Sequence, residues 1–198
     1  MRPLAEQLLE HSRGLPEGSL LTASGLRNFG GRGAVSKALS RLARRGELYR
    51  IDHGIYVRPI PTQFGPRTPS IESVVASLAA LRGEAIASHG AVSANRLALT
   101  TQVPIRAIYL TSGRSRSLQL GKQTLDLRHA PAWQFTHAGR LSGEVIRALA
   151  WLGPAESARL LPFLGRRLPL AEREALIEAA PLLPTWLAQL LLMSLTTR

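Results

Sequence analysis

Residues 32–58 constrain the fold more than any other part of the chain. They read as a basic amphipathic helix, RGAVSKALSRLARRGEL, running into a short two-stranded ribbon, YRIDHGIYVR. Helical spacing puts Val35, Ala38, Leu39, Leu42 and Ala43 on one stripe, which needs a core to cover it. Lys37, Ser40, Arg41 and Arg44 fall on the opposite side, with Arg32 and Arg45 at the two ends. Between Arg27 and Arg50 seven basic residues (27, 32, 37, 41, 44, 45, 50) stand against one acid, Glu47. Like charges at helical spacing repel one another. A polyanion laid against that face would remove the repulsion.

The flanking signals agree with this reading. Leu4, Leu8 and Leu9 mark a first helix, ended by Gly14 and Pro16, and Ser19–Leu21 suit a short strand. Thr22 is placed to cap a second helix over 23–29, and the glycines at 30, 31 and 33 turn the chain into the basic helix. Gly46 stops that helix at the position favoured for left-handed backbone. Strands over 48–51 and 55–58 are joined by the turn residues Asp52, His53 and Gly54. Helix, strand, helix, turn, helix, hairpin is the order of a winged helix-turn-helix.

The expected fold class is therefore α+β: a winged helix-turn-helix DNA-binding domain over 1–58 and a mixed α/β domain over 70–198. Between them PIPTQFGPRTP (59–69), with four prolines in eleven positions, reads as a linker. In the second domain Ser70 caps a helix over 71–81, and 85–99 is a short strand running into a small-residue helix capped by Ser88. Strands follow at 107–111, 117–120 and 124–129. From Gly139 the pattern is four short helices, broken near Pro154, Pro169 and Pro181–Pro184.

Composition narrows the partners. A net charge of +12 and a pI near 11.6 favour nucleic acid or an anionic membrane. The charge is +5 over 1–60, +5 over 61–130 and +2 over 131–198, so it is not a basic tail. All the basic residues but Lys37 and Lys122 are Arg, a bias that GC-rich coding also produces and that carries no functional weight here. With no cysteine, thiol catalysis, thiolate metal sites and disulfides are excluded. The first residues lack the apolar core of a signal peptide, and the longest apolar stretch, 186–193, is far short of a bilayer span. A soluble, cytoplasmic protein with no membrane partner is expected.

The N-terminal half of a recognition helix lies deepest in the major groove, so Arg32, Ser36, Lys37, Ser40 and Arg41 are the candidates to read bases. Arg44, Arg45 and Arg50 are candidates for phosphate, which positions a protein without specifying sequence. His53 and Arg58, on the wing, are candidates for the minor groove or backbone. The loop 112–117 carries Arg114 and Arg116 and is either a second anion- or partner-contacting tip or a plain solvated turn.

Catalytic signals are weak. The run Asn28-Phe29-Gly30-Gly31-Arg32-Gly33 lacks the Gly-Lys-Ser/Thr ending of a P-loop and the preceding strand of a dinucleotide site. The histidines at 11, 53, 89, 129 and 137 show no metal-ligand spacing. His89 and Asn95, near Ser88 and Ser93, are better explained by capping than by acid–base chemistry. No catalytic residue, metal or cofactor is assigned. The apolar stripe of 182–195 is core or a dimer or partner surface.

Two stretches, AVSKALSRLARRGELYRIDHGIYVRP and SHGAVSANRLALTTQVPIRAIYLTSGRSRSLQLGKQTLDLRHAP, resemble the AbiEi-type antitoxins of abortive-infection (type IV) toxin–antitoxin systems. The resemblance runs from about Leu20 to Ala150, and the segment Asn95 to Pro104 is its most distinctive part. It implies a winged helix that binds inverted repeats in its own promoter and represses the operon. It also implies a second domain that neutralises a nucleotidyltransferase-like toxin, by direct contact or indirectly. Double-stranded DNA and that toxin are the implied partners. The chain is expected to be monomeric or weakly dimeric, pairing on DNA, and not an enzyme. Two other readings remain open. One is a winged-helix regulator whose second domain senses a ligand. The other is a nucleic-acid-processing enzyme, although 61–130 offers only the separated acids Glu72, Glu84 and Asp126 to hold metal.

Overall fold

The computed structural model describes residues 2–102 and 106–196. Val103 and Pro104, the end of the distinctive motif, lie outside the described residues. The architecture is mixed α+β. In chain order the elements are α1 (Leu4–Arg13), β1 (Leu20–Thr22), a 3-10 helix (Arg27–Phe29), α2 (Arg32–Arg44), β2 (Tyr49–Asp52), β3 (Ile55–Val57), α3 (Ile71–Arg82), β4 (Ile86–Ser88), α4 (Gly90–Arg96), β5 (Ala107–Thr111), β6 (Arg116–Leu120), β7 (Gln123–His129), a second 3-10 helix (Ala132–Phe135), α5 (Leu141–Arg167), α6 (Leu170–Ala179), a third 3-10 helix (Ala180–Leu182) and α7 (Thr185–Leu195). Two sheets form, in the orders β1-β3-β2 and β4-β5-β7-β6.

The chain divides into two compact units, 1–84 with 116–126 and 85–115 with 127–198. In the first unit, α1 and α2 close over the antiparallel β1-β3-β2 sheet. Leu21 lies opposite Tyr56, and Arg50 opposite Tyr56 from the other side. The apolar stripe expected of the basic helix is the stripe that is buried: Val35, Ala38, Leu39 and Leu42 are at most 5% exposed. They meet Leu8, Leu21, Leu26, Leu48 and Tyr56 in one core. Each of the valine and leucine side chains contributes about 1.5–3 kcal/mol by leaving water. The outward orientation of the cations follows from this burial, because a helix that buries one stripe must expose the other.

Three local expectations differ. The segment 23–29 forms a turn and a 3-10 helix instead of an α-helix. Thr22 Oγ1 accepts from Gly25 N at 3.1 Å, which closes a turn before α-helical bonding is established, and Gly30 ends the short helix with extended backbone. The proline-rich 59–69 stretch is an ordered hairpin. Ile60 and Arg67 pair as a β-bridge, and Gly65, at φ +103, supplies the left-handed residue of its turn. Arg67 donates to both carboxylate oxygens of Glu17, at 2.8 and 2.9 Å, and Ser70 N donates to Glu17 at 2.8 Å. This clasp holds the Glu17 carboxyl at about 2, chiefly through the hydrogen bonds from Arg67 and then Ser70 N. The third difference concerns α4, which is capped by His89 rather than Ser88: Nδ1 of His89 accepts from Ala91 N at 3.3 Å. Ser70 does cap α3, accepting from Ser73 N at 3.2 Å.

In the second unit β4 and β5 pair antiparallel, Ser88 opposite Tyr109. Helix α4 lies so close to α5 that a Cβ on Gly90 would clash with the Arg147 carbonyl oxygen and with Trp151 Cβ. The helical region breaks near each expected proline. Gly153 (φ 80, ψ 172) kinks α5 directly before Pro154, α6 begins after Pro169, and α7 after Pro184. Val145, Ile146, Leu149, Leu161, Leu176, Leu187 and Leu191 form the core. The apolar α7 is thus largely core, although Leu192 and Met193 are exposed. Among the described residues no helix is long and apolar enough to cross a membrane.

Candidate nucleic-acid interface

Helix α2 starts from Gly31 without a side-chain cap and ends before Gly46, whose φ of +76 takes the chain out of the helix. Ser36, Lys37, Ser40, Arg41 and Arg44 come together along its outer side and line one open groove of about 390 Å3. All but the half-buried Ser40 are exposed, as are Arg32 and Arg45 at the ends. Arg45 reaches Glu47 only at 3.9 Å. Among the described residues Arg32, Lys37, Arg41 and Arg44 have no carboxylate partner.

Four other cations of the same unit are neutralised. Arg13 pairs with Glu10 at 2.9 Å, Arg67 with Glu17 at 2.8 Å, Arg82 with Asp52 at 2.6 Å and Arg116 with Glu84 at 2.7 Å. The helix dipole favours Arg41 and Arg44 near the C-terminus but opposes Arg32 in the first turn. Stability of the helix therefore does not account for the whole cationic face.

Arg50 and His53 meet at the β2–β3 turn. Arg50 Nη2 lies 3.2 Å from His53 Nδ1, and Arg50 Nε donates to the Asp52 carbonyl at 3.3 Å. Both side chains are exposed. Asp52 would repel a phosphate, but Arg82 Nη2 donates to its Oδ2 at 2.6 Å and His53 N to its Oδ1 at 2.7 Å. Arg82 is absent from the sequence-based set, because it reaches the turn from α3, 30 residues away. Arg58 is placed differently from Arg50 and His53. Its Nε donates to the Ser12 carbonyl at 2.9 Å and Nη1 to that of Pro59 at 3.4 Å, so the half-buried guanidinium secures the end of α1.

The two arginines of the 112–117 loop have separate settings. Arg114 is exposed and belongs to the second unit, whereas Arg116 begins β6 in the first. The Arg116–Glu84 pair is only 17% and 15% exposed. Ser115 Oγ accepts from His129 N at 2.8 Å, and His129 Nδ1 lies 2.8 Å from the Gly113 carbonyl, so the turn is ordered.

His89 and Asn95 are used locally. Asn95 Nδ2 donates to the carbonyls of Thr100 and Gln102 at 3.4 and 3.1 Å. Burial, and then Arg128, hold the His89 imidazole below its ordinary pKa, which keeps it in the neutral form that can cap α4. Among the described residues no three His, Asp or Glu side chains are grouped to hold a metal ion.

The fold that presents this face is similar to that of the RV2827C protein from Mycobacterium tuberculosis in its crystal structure. The TM-score is 0.57 over 99% of this chain and 78% of that chain, at 16% identity, which is a likeness of fold alone. Residues 7–159 match DUF6088, a family of unknown function, and the chain belongs to that family. The matched region includes α2, the β2–β3 hairpin and α4. Among curated proteins none matches the sequence.

Proposed function

We propose that this chain is a DNA-binding antitoxin of the AbiEi kind, in which α1 to β3 act as a winged helix-turn-helix, α2 as the recognition helix and the β2–β3 hairpin as the wing. The observation that carries the reading is the outer face of α2, where Arg32, Lys37, Arg41 and Arg44 stand exposed without a carboxylate partner among the described residues. A phosphate backbone supplies the missing counter-charge at the spacing of a helix in the major groove. Arg50 and His53 at the hairpin turn add a second contact, and Arg82 prepares it by neutralising Asp52.

The proposed role is repression of the protein's own operon through promoter inverted repeats, together with neutralisation of a nucleotidyltransferase-like toxin. The resemblance of residues 88–131 to antitoxins supports the second activity, and that segment reaches into both units.

The test is a mobility-shift titration on DNA from upstream of the chain's own reading frame. Wild type should bind, and a Lys37→Ala, Arg41→Ala, Arg44→Ala triple variant should bind far more weakly. Equal affinity of the two would remove the recognition-helix assignment. Co-expression with the neighbouring toxin then reads neutralisation separately, by growth rescue.

A further inference from the structure

The turn between β2 and β3 fixes the tautomer of its histidine. Arg50 Nη2 lies 3.2 Å from His53 Nδ1. A guanidinium only donates, so Nδ1 accepts, and the imidazole in this contact is neutral with its proton on Nε2. The contact is not what holds the turn. His53 N donates to Asp52 Oδ1 at 2.7 Å, and Gly54, at φ +70, takes the chain back into β3. Arg50 Nε donates to the Asp52 carbonyl at 3.3 Å, so the guanidinium stays at the turn when Nη2 changes partner.

A protonated Nδ1 could not accept from Arg50, and two cations would then face each other. The charges packed around the turn do not offset that. Asp52 already receives Arg82 Nη2 on Oδ2, at 2.6 Å, and His53 N on Oδ1. From β6, which packs beside β2, the cation Arg116 is bound to Glu84 at 2.7 Å. The far end of β6, at Gly121 and Lys122, lies by Tyr49. Helix α2 meets this sheet through its buried apolar stripe, and Tyr56, opposite Arg50, is itself buried. An anion from outside the chain is what would let His53 charge.

We infer that the wing is a proton-linked DNA contact: a backbone phosphate takes Arg50 from His53, and His53 takes up a proton and donates to the same phosphate. The inference rests on the DNA-binding reading of α2 and the hairpin, and adds how that site is regulated. A charged oxygen is a stronger acceptor for a guanidinium than a neutral ring nitrogen, so Arg50 leaves Nδ1. The vacated Nδ1 then stands beside a negative charge, which favours the imidazolium. One proton enters from solvent and no other bond changes except hydrogen bonds. The bound state therefore carries more protons than the free one, and by linkage affinity rises as the pH falls. At high pH the turn offers phosphate one cation, Arg50, and at low pH two.

The test is fluorescence anisotropy with DNA from upstream of the chain's own reading frame, at one salt concentration, between pH 8 and pH 6. Wild type should bind about fivefold more tightly at pH 6 than at pH 8. In His53→Asn the amide oxygen accepts from Arg50 in place of Nδ1 but takes up no proton. That variant should match wild type at pH 8 and lack the gain at pH 6. Arg50→Ala should bind more weakly throughout, and its gain should set in at higher pH, because the cation opposing the imidazolium is gone. Calorimetry in two buffers of different ionisation enthalpy should register proton uptake on binding by wild type and none by His53→Asn. Parallel pH profiles for wild type and His53→Asn, or a gain in Arg50→Ala over the same pH range as wild type, would overturn the proposal and leave DNA binding standing. A wild type that does not bind this DNA at any pH would remove the operator reading, and the proton-linked wing with it.

Discussion

Helices α2 and α3 belong to the same compact unit and treat their cations in opposite ways. Arg82, at the end of α3, is bound to Asp52, and the approach to that helix is closed by Arg67 on Glu17. Among the described residues Arg32, Lys37, Arg41 and Arg44 on α2 have no such carboxylate. The difference separates two uses of a positive charge. A paired cation joins distant parts of the chain and belongs to the fold, whereas a row of unpaired ones costs the fold something, a cost that a polyanion laid against it would relieve. In one molecule the first kind should register in stability and the second in binding.

The largest effect should come from cutting the paired cations away. A fragment of residues 1–60 keeps α2 but loses Arg67, Ser70, Arg82 and the 116–126 segment. It should show no cooperative thermal transition by circular dichroism, where the full chain melts cooperatively. A fragment that melts like the intact N-terminal unit would break the comparison, since the pairs would then be ornaments on an independent module.

Next in size is the semi-buried pair. Arg116→Ala leaves Glu84, 15% exposed, without its guanidinium, and should cost about 1–3 kcal/mol in urea unfolding. The Glu17 clasp should appear as a pH effect. Its folded carboxyl sits at about 2, against an ordinary 4.5. The clasp therefore stabilises fully above about pH 4.5 and is lost as the pH falls from there towards 2. Melting temperatures of wild type and Glu17→Gln should differ at pH 6 and converge near pH 2. A constant gap between the two curves would contradict the clasp.

At the smallest end are the α2 cations. Lys37→Ala, Arg41→Ala and Arg44→Ala should each change stability by no more than about 0.5 kcal/mol. Arg32→Ala should lie between no change and a gain of about 0.5 kcal/mol, because it removes a cation from a helix N-terminus.

The same distinction explains what could be read from the sequence. The buried stripe of α2, the Gly46 stop and the β2–β3 turn are local, with periods and turn residues within a few positions of one another. The breaks before Pro154, Pro169 and Pro184 were legible for the same reason. The ordered hairpin at 59–69 was not, because four prolines suggest a linker while the clasp that orders it reaches Glu17, 50 residues back. Arg58 looked like a wing cation until its bond to Ser12, 46 residues away, was visible. The place of 116–126 with the N-terminal unit depends on packing between remote segments and has no local signature. The Ala23–Phe29 helix failed on a local competition, in which the Thr22 hydroxyl closed a turn first. For the candidate site, the outward placement of the α2 residues is legible in their spacing, while the place of Arg82 depends on the tertiary fold.

The central claim is that the outer face of α2 meets a polyanionic backbone through its unpaired cations. It is tested most directly by the salt dependence of DNA binding, measured by fluorescence anisotropy on one duplex for wild type and the Lys37→Ala, Arg41→Ala, Arg44→Ala variant. Each phosphate contact adds about 0.9 to the slope of log K against log salt, so the variant's slope should be shallower by about 2.7 if all three cations lie on phosphate. Parallel lines for the two proteins would contradict the account, since the charges would then have no part in binding.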